Sequence, residues 1–334
     1  MLKLKTIMAK TPNSQLSEFD IINTYFSSHA RAAGVDVSVG DDAAVLTVPQ
    51  GNQLVVSTDT SIAGQHFFKD ADPADIAYKS IAVSLSDMAA MGATPKWLLL
   101  NVSIETVDPN WLDAFSRSCF ELLTKFNVAL VGGDITKGPL SITTTVHGWV
   151  KRGQALLRSG AKVGDQIAIS KPLGEAGLAV YARQHQIQLS ANDKQLVNQA
   201  LMRPTPEVVL GKALIDYASA AIDISDGLSA DLSHLLAASG VGAKLYQNQL
   251  PISPSLAHYI PAVNTVKFAL DSGDHYGLCF TVPAAKQGLL DNYLASTGQR
   301  CYWIGEVISD STLMLVDAAG RLTPLKSNGF KHFG

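Results

Sequence analysis

Aspartates beside glycines and at the ends of apolar runs are the residues of this chain that could do chemistry. They stand in Gly40-Asp41-Asp42, Ser57-Thr58-Asp59-Thr60, Gly132-Gly133-Asp134 and Asp223-Ile224-Ser225-Asp226-Gly227. Asp87 adds a fifth position, in a helical stretch with Ile81, Val83, Leu85, Met88 and Met91. The acids divide into 23 Asp and 6 Glu, a bias toward the short, hard oxygen donor that suits Mg2+. Asp also favours turns and caps, so each turn aspartate alone has an ordinary explanation. Asp226, before Gly227 and a helix, is placed as an N-cap. Five segments together weaken that explanation. Asp87 cannot cap a helix from its middle, and a buried carboxylate there needs a partner.

Two carboxylates about 4 Å apart repel by roughly 4 kcal/mol at an effective dielectric near 20. The motifs hold few lysines or arginines to offset this. A divalent metal would, and oxygen-only ligands favour Mg2+ or Mn2+ over zinc. Mg2+ commonly bridges protein carboxylates to substrate phosphates. The physical reading is a multi-metal phosphoryl-transfer site.

Other chemistries lack their motifs. There is no GxxxxGK[ST], and Gly240-Val241-Gly242 lacks the third glycine of a dinucleotide fingerprint. Neither GxSxG nor HExxH occurs. His66 stands alone, and a lone histidine is more often structural than functional. A net charge of −3 gives no basic field for nucleic acid. No apolar run approaches the ~18 residues of a membrane span. The basic N-terminus MLKLKTIMAKTPNSQ lacks the apolar core of a signal peptide. Cys119, Cys279 and Cys301 are odd in number and far apart. The expectation is reduced thiols in a soluble, cytoplasmic protein.

The acids need a frame to hold them. Charged residues at 16% and apolar residues at 47% predict a large buried core. A length of 334 residues, at ~150 per domain, predicts about two domains. Apolar spacing predicts a helix over 16–33, stopped by Gly34. Alternation predicts extended chain around Gly40-Asp41-Asp42 and a strand over 53–59. Asp72-Pro73 opens a helix over 73–91, and Asp108-Pro109 opens another ending near 126. Strands follow at 97–104, 128–131 and 142–150. The basic, glycine-containing segment 151–164 is the candidate boundary, dividing the chain into 1–150 and 151–334. Beyond it, strand-like stretches (166–170, 220–224, 278–282, 302–307, 312–316) alternate with helical ones (176–186, 206–218, 228–239, 284–296). The fold class is mixed α/β (α+β), in two domains.

The order of the motifs is itself informative. Val39-Gly40-Asp41-Asp42-Ala43-Ala44-Val45-Leu46 precedes Ser57-Thr58-Asp59-Thr60, Gly64, His66-Phe67 and Asp72-Pro73-Ala74-Asp75. Lys79, Ser86-Asp87-Met88-Ala89-Ala90-Met91-Gly92-Ala93 and Gly132-Gly133-Asp134 follow. Arg158-Ser159-Gly160-Ala161, Arg203-Pro204 and Ile222-Asp223-Ile224-Ser225-Asp226-Gly227-Leu228 complete the run. In this order the motifs resemble the thiamine-monophosphate kinases of the aminoimidazole-ribonucleotide-synthetase-like superfamily. The resemblance extends from about residue 18 to Gly329-Phe330.

That resemblance implies ATP-dependent phosphorylation of thiamine monophosphate to thiamine diphosphate, assisted by several Mg2+ ions. Metal would lie on the carboxylates of Asp42, Asp59, Asp87, Asp134, Asp223 and Asp226, with Ser57 and Thr58 adding oxygens. ATP would meet Gly133, Asp134, Arg158 and Ser225, while His66, Asp274 and Phe330 would meet the thiamine substrate. Two α/β domains are implied, the first pairing across a homodimer to make a β-barrel. The acceptor is itself an ionised phosphate, so neither a general base nor a covalent nucleophile is expected. One motif departs from the family. Its Gly-Gly-Glu-Asp-Tyr-Glu-Leu reads Ser272-Gly273-Asp274-His275-Tyr276-Gly277-Leu278 here. Asp274 is one methylene shorter than the glutamate that touches thiamine, and His275 replaces an acid. Two further readings stay open. One is another ATP-using member of the superfamily, such as aminoimidazole ribonucleotide synthetase or selenophosphate synthetase. The other is an inactive binder of thiamine phosphates. The selenophosphate enzyme's reactive N-terminal cysteine is absent here, and a pure binder need not gather so much like charge.

Overall fold

The computed structural model describes residues 16–27, 33–326 and 329–330, so the basic N-terminal segment lies outside the described residues. Among the described residues there are three sheets. β1 (Val35–Val37) and β2 (Val45–Leu46) form a small antiparallel pair. β3 (Asn52–Ile62), β4 (Thr94–Ile104), β5 (Ala129–Lys137) and β6 (Ser141–Lys151) form a sheet in the order β3-β6-β4-β5. Only β4 and β5 run parallel in it. The third sheet holds β7 (Gln166–Ile169), β8 (Ala220–Asp223), β9 (Gly242–Tyr246), β10 (Leu278–Val282), β11 (Tyr302–Ile308), β12 (Leu313–Val316) and β13 (Leu322–Pro324). Its order is β13-β12-β9-β11-β7-β10-β8, which leaves β8 at an edge.

Helix α1 (Glu18–Ile21) comes first, and α2 (Pro73–Ala90) and α3 (Pro109–Phe126) belong to the first half of the chain. The second half carries α4 (Glu175–Gln184), α5 (Ala191–Met202), α6 (Val208–Leu214), α7 (Leu228–Ser239), α8 (Pro254–Tyr259), α9 (Ala262–Asp271) and α10 (Gln287–Ser296). Both Asp-Pro devices act as the sequence suggests. Asp72 accepts the Ala74 N–H and Asp108 the Asn110 N–H, each before a proline whose missing N–H costs nothing there. Helix α2 packs on α3, β3 and β6, and also on α6 and β8. A helix covered on nearly every side belongs in an interior. Its buried Lys79, Ser84 and Ser86 must therefore find polar partners inside the protein.

Several elements differ from their sequence expectations. β3 continues past Asp59 to Ile62, so Ser57, Thr58 and Asp59 lie within a strand and not at its end. Gly132-Gly133-Asp134 likewise lies inside β5, where a bulge shifts the register opposite Leu98 and Leu99. Gly133 has φ 146°, and a Cβ on it would come within 1.8 Å of the Leu100 carbonyl oxygen. No other residue fits that crossing. The helix expected over 16–33 shrinks to α1 plus one π turn over Ile22–Phe26, with 28–32 outside the described residues. The helix expected over 206–218 runs only from Val208 to Leu214, and the one over 284–296 starts with a 3-10 turn. A large hydrophobic core runs through both major sheets, and Trp97, Ala129 and Val131 make a smaller cluster beside Trp149. All three cysteines are free thiols, and none of the described helices is long and apolar enough to cross a membrane.

Candidate active site

Strand alternation puts Ser57 and Asp59 on the face of β3 that meets α2. There the Ser57 hydroxyl donates to Asp87, and the Ser84 hydroxyl donates to Asp59 at 2.7 Å. The Ser86 hydroxyl donates to Asp223, at the end of β8, at 3.0 Å. Three carboxylates from β3, α2 and β8 are thus each held by one serine. Ser84 and Ser86 escape a sequence reading that looks for acids. Their signal is Ser84-Leu85-Ser86-Asp87, polar residues in an otherwise apolar helix.

Neutral hydroxyls orient these acids without cancelling their charge. Burial, reinforced by the charges of Asp223 and Asp59, pushes Asp87 up to about 7. Burial likewise lifts Asp223 to about 6, with the charges of Asp231 and Asp59 adding to it. Asp59 is raised by burial against the opposing pull of Ser84 and His66. Arg158 lowers both Asp87 and Asp223, but it does not win.

Asp231 is a further buried acid, unmarked in the sequence. Its carboxylate accepts the successive N–H groups of Ser225, Asp226 and Gly227 at 2.9, 3.0 and 3.2 Å. Asp226 is therefore not the cap of α7. Gly227 occupies the N-cap position, and Asp231 in the first turn takes the orphan donors. Burial pushes Asp231 up to about 6.

Asp59, Asp87, Asp223, Ser225 and Asp226 border one cleft of about 760 Å³, while Ser57, Ser84, Ser86 and Asp231 are not part of its lining. Its polar lining includes Asp59, Asp87, Arg158, Asp223, Ser225 and Asp226. Phe67, Phe68, Tyr181, Phe268 and Phe330 line it as well, with Phe330 beside Asp226, whose carbonyl accepts its N–H at 3.1 Å. His66 and Asp274 line it too. Not every expected residue joins. Thr58 borders the cleft, but its hydroxyl bonds Thr145 at 2.9 Å on the sheet face opposite Asp59. The strand registers align Thr60, Thr143, Asn101 and Asp134 in one row, which puts Asp134 on that opposite face as well. Asp42 is exposed, and its N–H is taken by Asp41 at 2.9 Å in a local turn. Asp42, Gly133 and Asp134 are not part of the cleft lining.

The divergent motif has a structural explanation. Asp274 is ion-paired with the buried Lys79 at 2.6 Å. His275 points away, bonded to the Pro172 carbonyl at 2.9 Å and to the Gly277 N–H. Burial pushes it down to about 4, so it sits neutral in the interior. Among the described residues no three His, Cys, Asp or Glu side chains form a ready-made metal cage. An all-oxygen set of hydroxyl-bonded, charge-deficient acids nonetheless suits Mg2+, which fills its remaining positions with water and phosphate oxygens.

Residues 40–150 match the model of the AIR synthase related protein N-terminal domain, and 162–317 match that of its C-terminal domain. The thiamine-monophosphate kinase of Salmonella typhimurium is 42% identical over 319 residues, covering 95% of this chain and 98% of that one. The chain belongs to the thiamine-monophosphate kinase family. The crystal structure of the Stenotrophomonas maltophilia family member is 38% identical, with a TM-score of 0.82 over 88% of this chain and 93% of that one. A structure of AaThiL complexed with AMPPCP and TMP is 26% identical, with a TM-score of 0.76 over 95% of this chain and 97% of that one.

Proposed function

We propose that this chain transfers the γ-phosphate of ATP to thiamine monophosphate, yielding ADP and thiamine diphosphate. The observation that carries the reading is the cleft itself, which brings under-neutralised acids and aromatic rings into one lining. Family membership and the relative seen with an ATP analogue and TMP support it. Asp59, Asp87, Asp223 and Asp226, with Ser57, would hold the Mg2+ ions. Bound there, Mg2+ would screen the repulsion between donor and acceptor phosphates. Arg158 and Ser225 line the cleft and are assigned to the ATP phosphates, and His66, also in the lining, to the substrate. An oxygen of the acceptor phosphate attacks the γ-phosphorus in line, needing position and charge neutralisation but no base. Asp42, Thr58, Gly133 and Asp134 stand apart from this cluster and carry no step here. We place the reaction in the cytoplasm.

A homodimer belongs to the proposal. The edge strand β3 exposes Leu54, Val56 and Ile62 by 51%, 51% and 41%. An apolar open edge of this kind calls for a cover. Light scattering at micromolar concentration is expected to return twice the chain mass. A single-chain mass would remove the dimer from the account.

Phe330 is the assigned thiamine contact. Its backbone N–H donates to the Asp226 carbonyl at 3.1 Å, so the tail folds back, and its ring stays 49% exposed at the cleft. A cationic heteroaromatic against that face gains ~0.5–2 kcal/mol. Phe330→Ala is expected to raise KM for thiamine monophosphate roughly 3- to 30-fold, with kcat and KM for ATP little changed. An unchanged KM with a lower melting temperature would make the ring a clasp for the tail instead. The reading as a whole is tested by ADP formation with and without thiamine monophosphate. ADP that depends on the acceptor supports it. Equal ADP formation in both mixtures would point to another reaction of the superfamily.

A further inference from the structure

Lys79 is a large charged side chain in the interior of α2, 1% exposed. Its ammonium group meets two acceptors from different parts of the chain. One is the carboxylate of Asp274 at 2.6 Å, and the other is the backbone carbonyl of His66 at 2.9 Å. His66 lies in the turn that follows β3, closed by the bonds from the Gly64 N–H to Phe67 O at 2.7 Å and from the His66 N–H to Ile62 O at 3.0 Å. The His66 ring accepts the Ile62 N–H at 3.0 Å, which sets its orientation within that turn. Asp274 also lines the cleft, in left-handed backbone with φ 61°. Its own N–H donates to Ser225 O at 2.8 Å, and the Tyr276 N–H donates to Ile224 O at 2.7 Å. Asp274 is thereby tied by backbone to the loop that carries Ser225 and Asp226, and by side chain to α2.

We propose that Lys79 is a positioning residue that clamps the His66 turn to the Asp274 loop and so fixes the width of the substrate cleft. Asp274 acts through Lys79 and not as a direct partner of the thiamine ring. A buried ammonium stripped of water binds a carboxylate in preference to leaving it for an outside ligand, because unpairing would strand a charge in the interior. Asp274 is 29% exposed at its side chain and has its charge already spent on Lys79. His275 adds no carboxylate to replace it. The part of this inference that concerns substrate rests on the proposed kinase reading; the clamp itself does not.

Two measurements on the full chain test it. The first is hydrogen exchange of the substrate-free Asp274→Asn protein, with α10 as a remote control. The clamp predicts exchange about tenfold faster at amides 63–67, distant in sequence from the substitution, with α10 unchanged. Unchanged exchange at 63–67 overturns the clamp, whatever the enzyme's substrate. The second is steady-state kinetics of Lys79→Met, Asp274→Asn and the double variant. Each single change is expected to raise KM for thiamine monophosphate about tenfold and leave KM for ATP unaltered, while the double variant is no worse than either single. A double variant whose KM rises by the product of the two factors means that Asp274 meets the substrate independently, and overturns the assignment. Should Lys79→Met fail to fold, the exchange measurement decides alone. A wild-type protein that does not turn over thiamine monophosphate removes the kinase reading and leaves the exchange result standing.

Discussion

Asp87→Asn is expected to lose phosphoryl transfer almost entirely while leaving the metal-free protein as stable as wild type or more so. The two halves of this result share one cause. The Asp87 carboxylate is buried against Asp223 and Asp59, whose charges raise it. The Ser57 hydroxyl that donates to it is neutral. Asn keeps an oxygen that can accept that hydroxyl and removes the repelling charge. It also removes a proposed metal ligand, and a ligand's share of transition-state charge stabilisation is several kcal/mol, or roughly 10²- to 10³-fold in rate. Sites held in an unrelieved state commonly show this trade of stability against activity. Rate assays with saturating Mg2+ and thermal melts in EDTA measure the two halves separately. A metal-free variant that melts far below wild type would make Asp87 a structural hydrogen-bonding residue.

Stability of the metal-free protein should also depend on pH in an unusual direction. Asp87 lies at about 7, and Asp223 and Asp231 at about 6, all above the ordinary value of 3.8. The folded state therefore holds protons that the unfolded chain releases. Linkage then makes stability fall as pH rises from about 4 through about 7, and flatten above that. The chelated protein is expected to be more stable at about pH 5 than at about pH 8, by several kcal/mol when shifts of this size combine. Mg2+ binds the ionised carboxylates, so it should stabilise more at the higher pH. Urea melts across that range, with EDTA and with Mg2+, measure both effects. Stability that rises steadily from pH 5 to pH 8 in EDTA would show that these acids are not buried together.

Much of this site can be read from residue types before any fold is known. Asp59, Asp87, Asp223 and Asp226 stand out because a mid-helix acid and repeated Asp beside Gly exceed what caps and turns need. Asp72-Pro73 and Asp108-Pro109 mark their helices because capping is a local interaction. Faces and partners are a different matter. Thr58 and Asp59 are neighbours, and within a strand neighbours must point oppositely. What the sequence does not show is which face meets α2, and only the packing of β3 on that helix puts Asp59 on the inner side and Thr58 on the outer. Asp134 faces away from the cleft acids because the bulge in β5, between Leu130 and Gly132, shifts the register of the residues that follow. Asp231 and Lys79 act on groups remote in sequence or on backbone N–H donors, and neither leaves a periodic trace. Helix α9 has no counterpart among the sequence expectations; it buries Thr265, Ala269 and Leu270 and packs Val266 and Phe268 against the core.

The most direct test of the account follows the phosphate. Purified protein is incubated with thiamine monophosphate, Mg2+ and ATP labelled at its γ-phosphate, and the products are separated by chromatography. Direct transfer predicts label in the terminal phosphate of thiamine diphosphate, one per ADP formed, and none when Mg2+ is chelated. Label released as inorganic phosphate with no labelled thiamine diphosphate would contradict the account.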